Sequence, residues 1–333
     1  MHLQLEQRGE NMELSRRQFI QAAAAAGVAP SLGAGAISKL PSRTLGKTGI
    51  EVSILGFGSG SRFLMYKDDD KALEALSRAL DLGITYIDTA HSYGDGKSEE
   101  RIGRLMPERR KQITLATKLS ARKADDARRQ IELSLKRLKT DHLDVMHIHA
   151  LSGPEDLAAI EKPDGVLKAL YEARDQKIAR AIGITCHAAP AVLKTALERH
   201  DFDCTQMALN AAMARMADVK GGMKATPMPE GSFEELALPV AVRKGMGIIA
   251  MKVFAQDQIV GVASIEKLLA YSLSLPVSLA SVGMPKPEFI ERNIELARAF
   301  KPMSDTDRRH LADSIAAERK VSLVEFFRLH EDA

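Results

Sequence analysis

Gly83-Ile84-Thr85-Tyr86-Ile87-Asp88-Thr89 is a β-rich run that closes on a carboxylate, and it directly follows a helical pattern at Lys71–Leu82. The alternation continues in both directions. Further short strand patterns occur at Val52–Phe57, Ile113–Lys118, Leu143–His149, Ala179–Thr185, Thr205–Leu209, Gly247–Val253 and Ser278–Gly283. After the first comes Lys71–Leu82, and the strand at Ile84–Thr89 and the others are followed by helical periodicity at Ser98–Leu105, Asp125–Leu138, Gly165–Gln176, Ala191–His200, Phe233–Lys244, Ser264–Leu275 and Glu288–Phe300. Eight strand–helix pairs in about 240 residues, with no linker-like shift in composition, predict a single-domain (β/α)8 barrel (TIM barrel) in preference to a doubly wound open sheet. The Gly-rich turn Gly56-Phe57-Gly58-Ser59-Gly60 follows a strand as a dinucleotide fingerprint would. Its third glycine position is Ser61, however, and the next helical pattern starts too late, so it reads as a tight turn at the mouth of the first strand.

Composition agrees with a globular α/β chain: 333 residues, 45% hydrophobic, 27% charged, no Trp, two Cys and a net charge of +3. Collagen-like, disulfide-scaffold and disordered classes are excluded. No long basic stretch occurs, so nucleic acid is not an expected partner. The N-terminus has its own character. Ser15-Arg16-Arg17-Gln18-Phe19-Ile20 places paired arginines before an uncharged, Ala-rich run lasting to Lys39, with Ala34-Gly35-Ala36 as a small-residue cleavage site. This layout resembles a twin-arginine (Tat) export signal, which implies the Tat machinery as a partner and a periplasmic destination. The run is poor in Leu, Ile and Phe, so no stable membrane insertion is expected. The domain reading is a signal peptide at 1–36, a barrel at 37–303 and a helical extension at 304–333.

Polar residues that close apolar strands mark the active-site face of such a barrel. Asp88 ends the second strand, Tyr93 lies just beyond it, Lys118 ends the third and His149 the fourth. Together they have a chemical logic. An ammonium beside a phenol favours the phenolate and lowers a pKa normally about 10, while the carboxylate keeps the ammonium charged and in place. The phenol can then donate a proton near neutral pH, and the imidazole can orient a substrate oxygen.

The run Gly83-Ile84-Thr85-Tyr86-Ile87-Asp88-Thr89-Ala90-His91-Ser92-Tyr93-Gly94, with Ser98-Glu99, Ala116-Thr117-Lys118, Asp144-Val145-Met146-His147-Ile148-His149 and the N-terminal segment Arg43-Thr44-Leu45-Gly46-Lys47-Thr48-Gly49, resembles the aldo-keto reductases over about Arg43 to Phe300. The resemblance implies an oxidoreductase that binds NADPH, or NADH, and passes hydride to the carbonyl carbon of a small aldehyde or ketone while Tyr93 protonates the oxygen. It also implies cofactor contacts. Thr185 and Gln206 match positions that bind the nicotinamide carboxamide, and Asn293 a position that contacts adenine. Cys186 stands where Asn is common, and Met251, beside Lys252, stands where many members stack a Tyr. The usual clamp for the 2′-phosphate has no clear match, and Lys286 or Arg292 could substitute.

Two other readings stay open at this level. His147 and His149 face the same way on one strand, and with His91, His187, Lys118 and Asp88 they could build the site of a metal-dependent TIM-barrel hydrolase, although Tyr93 then has no role. A non-catalytic nucleotide-binding barrel is the third; the primary reading needs no metal. Cys186 and Cys204 should lie at opposite ends of adjacent strands, about five residues apart at ~3.3 Å each, which disfavours a disulfide. Asn210–Ser232, rich in Met, Gly and Pro, is expected to lie over the site. Any aromatic substrate cage would have to use Phe57, Phe63, Tyr66 or Phe254.

Overall fold

Three residues of hairpin strand, β1 (Ser42–Thr44), pair antiparallel with β2 (Glu51–Ser53), and the chain then enters the first barrel strand, β3 (Leu55–Gly58). The computed structural model describes residues 39–213, 217–219, 222–224, 231–255 and 259–327, with side chains described to 316 and not in 217–219 or 222–224. The run Val52–Phe57 is thus not one strand, a correction to the sequence reading. The Ser53 hydroxyl donates to Leu55 O at 2.7 Å and Ile54 N–H donates to Pro41 O at 2.9 Å, which turns the chain between hairpin and barrel.

The remaining barrel strands are β4 (Tyr86–Asp88), β5 (Thr114–Leu119), β6 (Leu143–Ile148), β7 (Ala179–Cys186), β8 (Cys204–Ala208), β11 (Gly247–Met251) and β12 (Leu279–Gly283). All pair in parallel, and β12 on β3 and β11 on β8 close the ring. The predicted (β/α)8 barrel is the observed fold. A short hairpin, β9 (Ala217–Val219) with β10 (Gly222–Lys224), interrupts the long connection after β8. The other residues that would decide whether this loop covers the site lie outside the described residues.

Period-two alternation sorts the strand side chains into two cores. Inward-facing Tyr86, Ala116, Val145, Ala181, Cys204, Ile249 and Leu279 fill the barrel, and Leu45, Ile50 and Val52 from the hairpin segment join them. Outward-facing residues, Phe57, Leu115, Met146, Ile184, Met207 and Ala280 among them, meet the helices in a larger layer. Helix ends follow local chemistry. After the single turn α1 (Ser61–Leu64), Asp68 caps α2 (Asp69–Asp81) by accepting from Asp70 and Lys71 N–H; α3 (Lys97–Gly103) and α4 (Met106–Arg109) follow β4, and Ser232 with Glu235 forms a capping box at Phe233–Arg243.

Lys39–Ala333 makes one compact unit. Its last helix is Asp305–Phe327, with Ala312 and Ile315 buried. Among the described residues no helix is long and apolar enough to cross a membrane. The signal peptide expected at 1–36 lies outside the described residues.

Candidate active site

Inward-facing positions two apart on each strand run up to the C-terminal mouth, so Tyr86 leads to Asp88 and Ala116 to Lys118, and the tetrad assembles there. Lys118 is buried, with its Nζ 2.9 Å from Asp88 Oδ1, donating to Thr89 O at 2.8 Å and to Tyr93 Oη at 3.3 Å. The same ammonium stands 4.8 Å from the centre of the Tyr93 ring. Burial alone would favour the neutral amine, but the charge of Asp88 and then the Tyr93 oxygen outweigh it, so the Lys118 pKa lies above the ordinary lysine value. The other Asp88 oxygen accepts from Gln206 Nε2 at 2.9 Å, on β8 directly across the barrel, and from Ser281 Oγ at 3.3 Å, on β12 two strands away. His149 meets the Tyr93 ring edge-on at 5.5 Å, and His187 lies 6.3 Å beyond it.

These groups open into a cleft of about 780 Å3 including its solvent-filled mouth. Of the candidates named from sequence, Asp88, Tyr93, Gln206, Met251 and Lys252 line it. Gly58 and Gly60, from the turn at the mouth of the first strand, line it too, and so do Arg62, Ser281 and Gly283, which the sequence reading does not single out. Their common signal is weak: β3 and β12 are far apart in sequence and become neighbours only when the ring closes. Of the four aromatic candidates only Phe254 reaches the cleft. Phe57 and Phe63 are fully buried in the outer layer, packed edge to face at 5.4 Å, with Tyr66 against Phe63.

Four expected cofactor residues do not line this cleft. Cys186 follows inward-facing Thr185 and therefore faces the helices; its thiol donates to Leu151 O at 3.1 Å, and burial pushes its pKa up to about 11. Thr185 is fully buried, and its hydroxyl oxygen accepts the Ala150 N–H at 2.8 Å. Lys286 is exposed at the start of the helix Pro287–Arg298, while Asn293 is buried within that helix, its Oδ1 without a hydrogen-bond partner. Cys186 and Cys204 are both free and are three ladder positions apart, not five, since Gly183 pairs with Cys204.

The histidines separate. His147 lies below the mouth beside Lys118, fully buried, and its pKa is lowered to about 3 by burial and then by the Lys118 charge. It packs so closely on β7 that a Cβ at Gly183 would come within 2.5 Å of its Nδ1. His91 faces outward, near Ser134 Oγ at 3.2 Å, away from the cleft. Lys118 is engaged with Asp88 and Tyr93, so the six residues of the hydrolase reading do not converge.

A closed parallel barrel whose mouth gathers Asp88, Tyr93, Lys118 and His149 around a buried ammonium is the frame of a (β/α)8-barrel oxidoreductase. Residues 54–262, more than half of the chain, match the model described as the aldo/keto reductase family, and the chain belongs to that family. Residues 13–33 match the TAT (twin-arginine translocation) pathway signal sequence. Aldo-keto reductase YhdN of Bacillus subtilis is 40% identical over 157 residues, 43% of this chain and 46% of that protein, so this match spans about half of the relative's length. Oxidoreductase YqkF of the same organism, itself uncharacterized, is 28% identical over 301 residues, 77% of this chain and 91% of that one. Among solved structures, the holo form of aldo-keto reductase AKR11C1 from Bacillus halodurans superposes with a TM-score of 0.67 at 22% identity, covering 85% of this chain and 99% of that chain. An aldo-keto reductase from Klebsiella pneumoniae in complex with NADPH gives 0.64 at 21%, covering 86% and 97%. At these identities the two structures speak for the fold.

Proposed function

We propose that the protein reduces a small aldehyde or ketone to the alcohol, or runs the reverse reaction, with NADPH as the preferred cofactor and NADH as a weaker one. The observation that carries this reading is the single ammonium of Lys118, held at once on Asp88 Oδ1 and Tyr93 Oη. The residues present suit the cofactor. Gln206 turns its amide N–H toward Asp88, leaving its buried Oε1 without a partner as an acceptor for an amide NH2. Asn293 Oδ1, also buried and unpartnered, suits the exocyclic amine of adenine, and exposed Lys286 and Arg292 suit a 2′-phosphate. Met251 and Lys252 in the cleft wall complete the set; Met251 offers a polarizable sulfur to a ring.

When bound, the reduced nicotinamide supplies the hydride. Tyr93 donates its hydroxyl proton to the carbonyl oxygen, and the Lys118 ammonium stabilises the phenolate left behind. Asp88 keeps that ammonium charged, and Gln206 and Ser281 fix the carboxylate. His149, edge-on to Tyr93, orients the substrate oxygen. The proton and the hydride together account for the alcohol formed.

The test is a fluorescence titration of purified, nucleotide-stripped protein with NADPH and then NADH, with metal analysis of the same sample. Saturable binding without stoichiometric metal is expected. No binding of either nucleotide, with one or two zinc ions per chain, would replace this reading by the hydrolase.

The twin-arginine segment supports export to the periplasm through the Tat machinery, which carries folded proteins. Nicotinamide nucleotides are made in the cytoplasm, so the protein folds around its cofactor and arrives loaded. Periplasmic extracts that yield only nucleotide-free protein would contradict this.

A further inference from the structure

Tyr93 sits in a loop whose shape the tetrad does not explain. Directly after it, Gly94, Asp95 and Gly96 have φ of 58°, 53° and 98°, three left-handed residues in succession, one of which carries a side chain. Something outside the loop has to hold this conformation. Arg137, near the C-terminal end of α5 (Ala124–Leu138), reaches it from behind. Its Nη1 donates to His91 O at 3.2 Å and its Nη2 to Asp95 O at 3.0 Å. These carbonyls stand two residues before and two residues after Tyr93. Between them the guanidinium lies flat on Gly96, where any Cβ would come within 2.1 Å of Arg137 Cζ.

The Arg137 charge is itself fixed. Nη1 lies 3.4 Å from Oε2 of Glu99, a fully buried carboxylate whose other oxygen accepts from Thr117 Oγ1 at 2.7 Å. Thr117 immediately precedes Lys118 on β5. One chain of contacts therefore links α5, the Tyr93 loop, the helix Lys97–Gly103 and the strand that carries the ammonium. A planar fork with separate donors can span two carbonyls in this way; a lysine, a point donor, cannot.

We propose that Arg137 is a positioning residue for catalysis, gripping the loop on both sides of Tyr93 so that the phenol stays on Lys118 and faces the cleft. The catalytic half of this inference rests on Tyr93 being the proton donor. The direct test is Arg137→Lys, which keeps a positive charge against Glu99. A second variant, Glu99→Gln with Arg137→Met, removes the buried pair together should the first not fold. Arg129→Ala, exposed on the same helix, serves as control.

Hydrogen exchange followed by mass spectrometry reads the loop without any substrate. The Tyr93 and Asp95 amides, bonded to Ala90 O and Ser92 O, are expected to exchange at least about tenfold faster in either variant, with the amides of α5 unchanged. With 4-nitrobenzaldehyde and NADPH, kcat is expected to fall about 10- to 100-fold with KM for NADPH within threefold, the pattern of a misplaced catalytic group. Unchanged exchange in a folded variant overturns the inference, and so does faster exchange with wild-type kcat. Should wild-type and Tyr93→Phe proteins reduce the aldehyde equally, or not at all, the proton-donor reading fails and the catalytic role of Arg137 with it, whereas the exchange result still reports the grip itself.

Discussion

Replacing Lys118 by methionine keeps most of the side-chain volume and removes one charge that serves two neighbours. At 3.3 Å from Tyr93 Oη and an effective dielectric constant of about 20, the ammonium favours the phenolate by about 5 kcal/mol. If about half of that charge has developed in the transition state, its loss raises the barrier by about 2.5 kcal/mol, or about 10²-fold in kcat. The same substitution strands Asp88, which is 4% exposed and keeps only Gln206 and Ser281 as donors, at a cost of about 3–5 kcal/mol in stability. These two consequences can be separated. Asp88→Asn combined with Lys118→Met removes both charges while leaving an acceptor for Gln206, so stability should largely return and turnover should not. The sign of the pH dependence is also fixed. The Lys118 pKa is raised in the folded state, so its contribution is complete below the ordinary lysine value and is lost as pH rises through the folded one. An alkaline loss of stability above about pH 10.5 should therefore appear in the wild type and be absent from the double variant. The assays are guanidinium unfolding from pH 7 to 11 and NADPH oxidation with 4-nitrobenzaldehyde. A folded Lys118→Met protein whose kcat lies within threefold of wild type would refute the reasoning.

Tyr93→Phe should lower turnover by at least about 10²-fold and leave the NADPH dissociation constant within about threefold, read by rate assay and fluorescence titration; wild-type activity would remove the proton-donor assignment. His147 stays neutral in the folded protein because burial lowers its pKa to about 3, whereas the unfolded chain takes up a proton below about pH 6.5. Stability should thus fall by about 1.4 kcal/mol per pH unit on acidification across that window, and His147→Leu should flatten the slope in urea unfolding at pH 7.5, 6 and 5. Gln206→Leu removes one donor to Asp88 and the unpartnered Oε1 acceptor together, so NADPH affinity should drop about tenfold in the same titration, a loss expected of a hydrogen-bonding residue. Equal affinity would exclude Gln206 from the cofactor site.

Two residues show where local reasoning stops. Cys186 was matched by its place after Thr185, yet strand alternation sends adjacent residues to opposite faces, so a cleft contact for one argues against the other. This was legible in principle. Arg137 was not: on its own it is one basic residue among several on a surface helix, and only the approach of α5 to the Tyr93 loop gives it partners.

The sequence by itself determined the eight strand–helix pairs, the twin-arginine segment and the four polar residues at or just beyond strand ends, because hydrophobic periodicity and the residues that break it are local properties. Tertiary structure alone decided that Gln206 and Ser281 hold Asp88, that Gly58, Arg62 and Gly283 share the cleft wall, and that His147 lies below the reacting groups. The reason is barrel closure. Pairing β12 with β3 joins the two ends of a chain more than 200 residues apart, and side chains facing one axis become neighbours regardless of their distance in sequence.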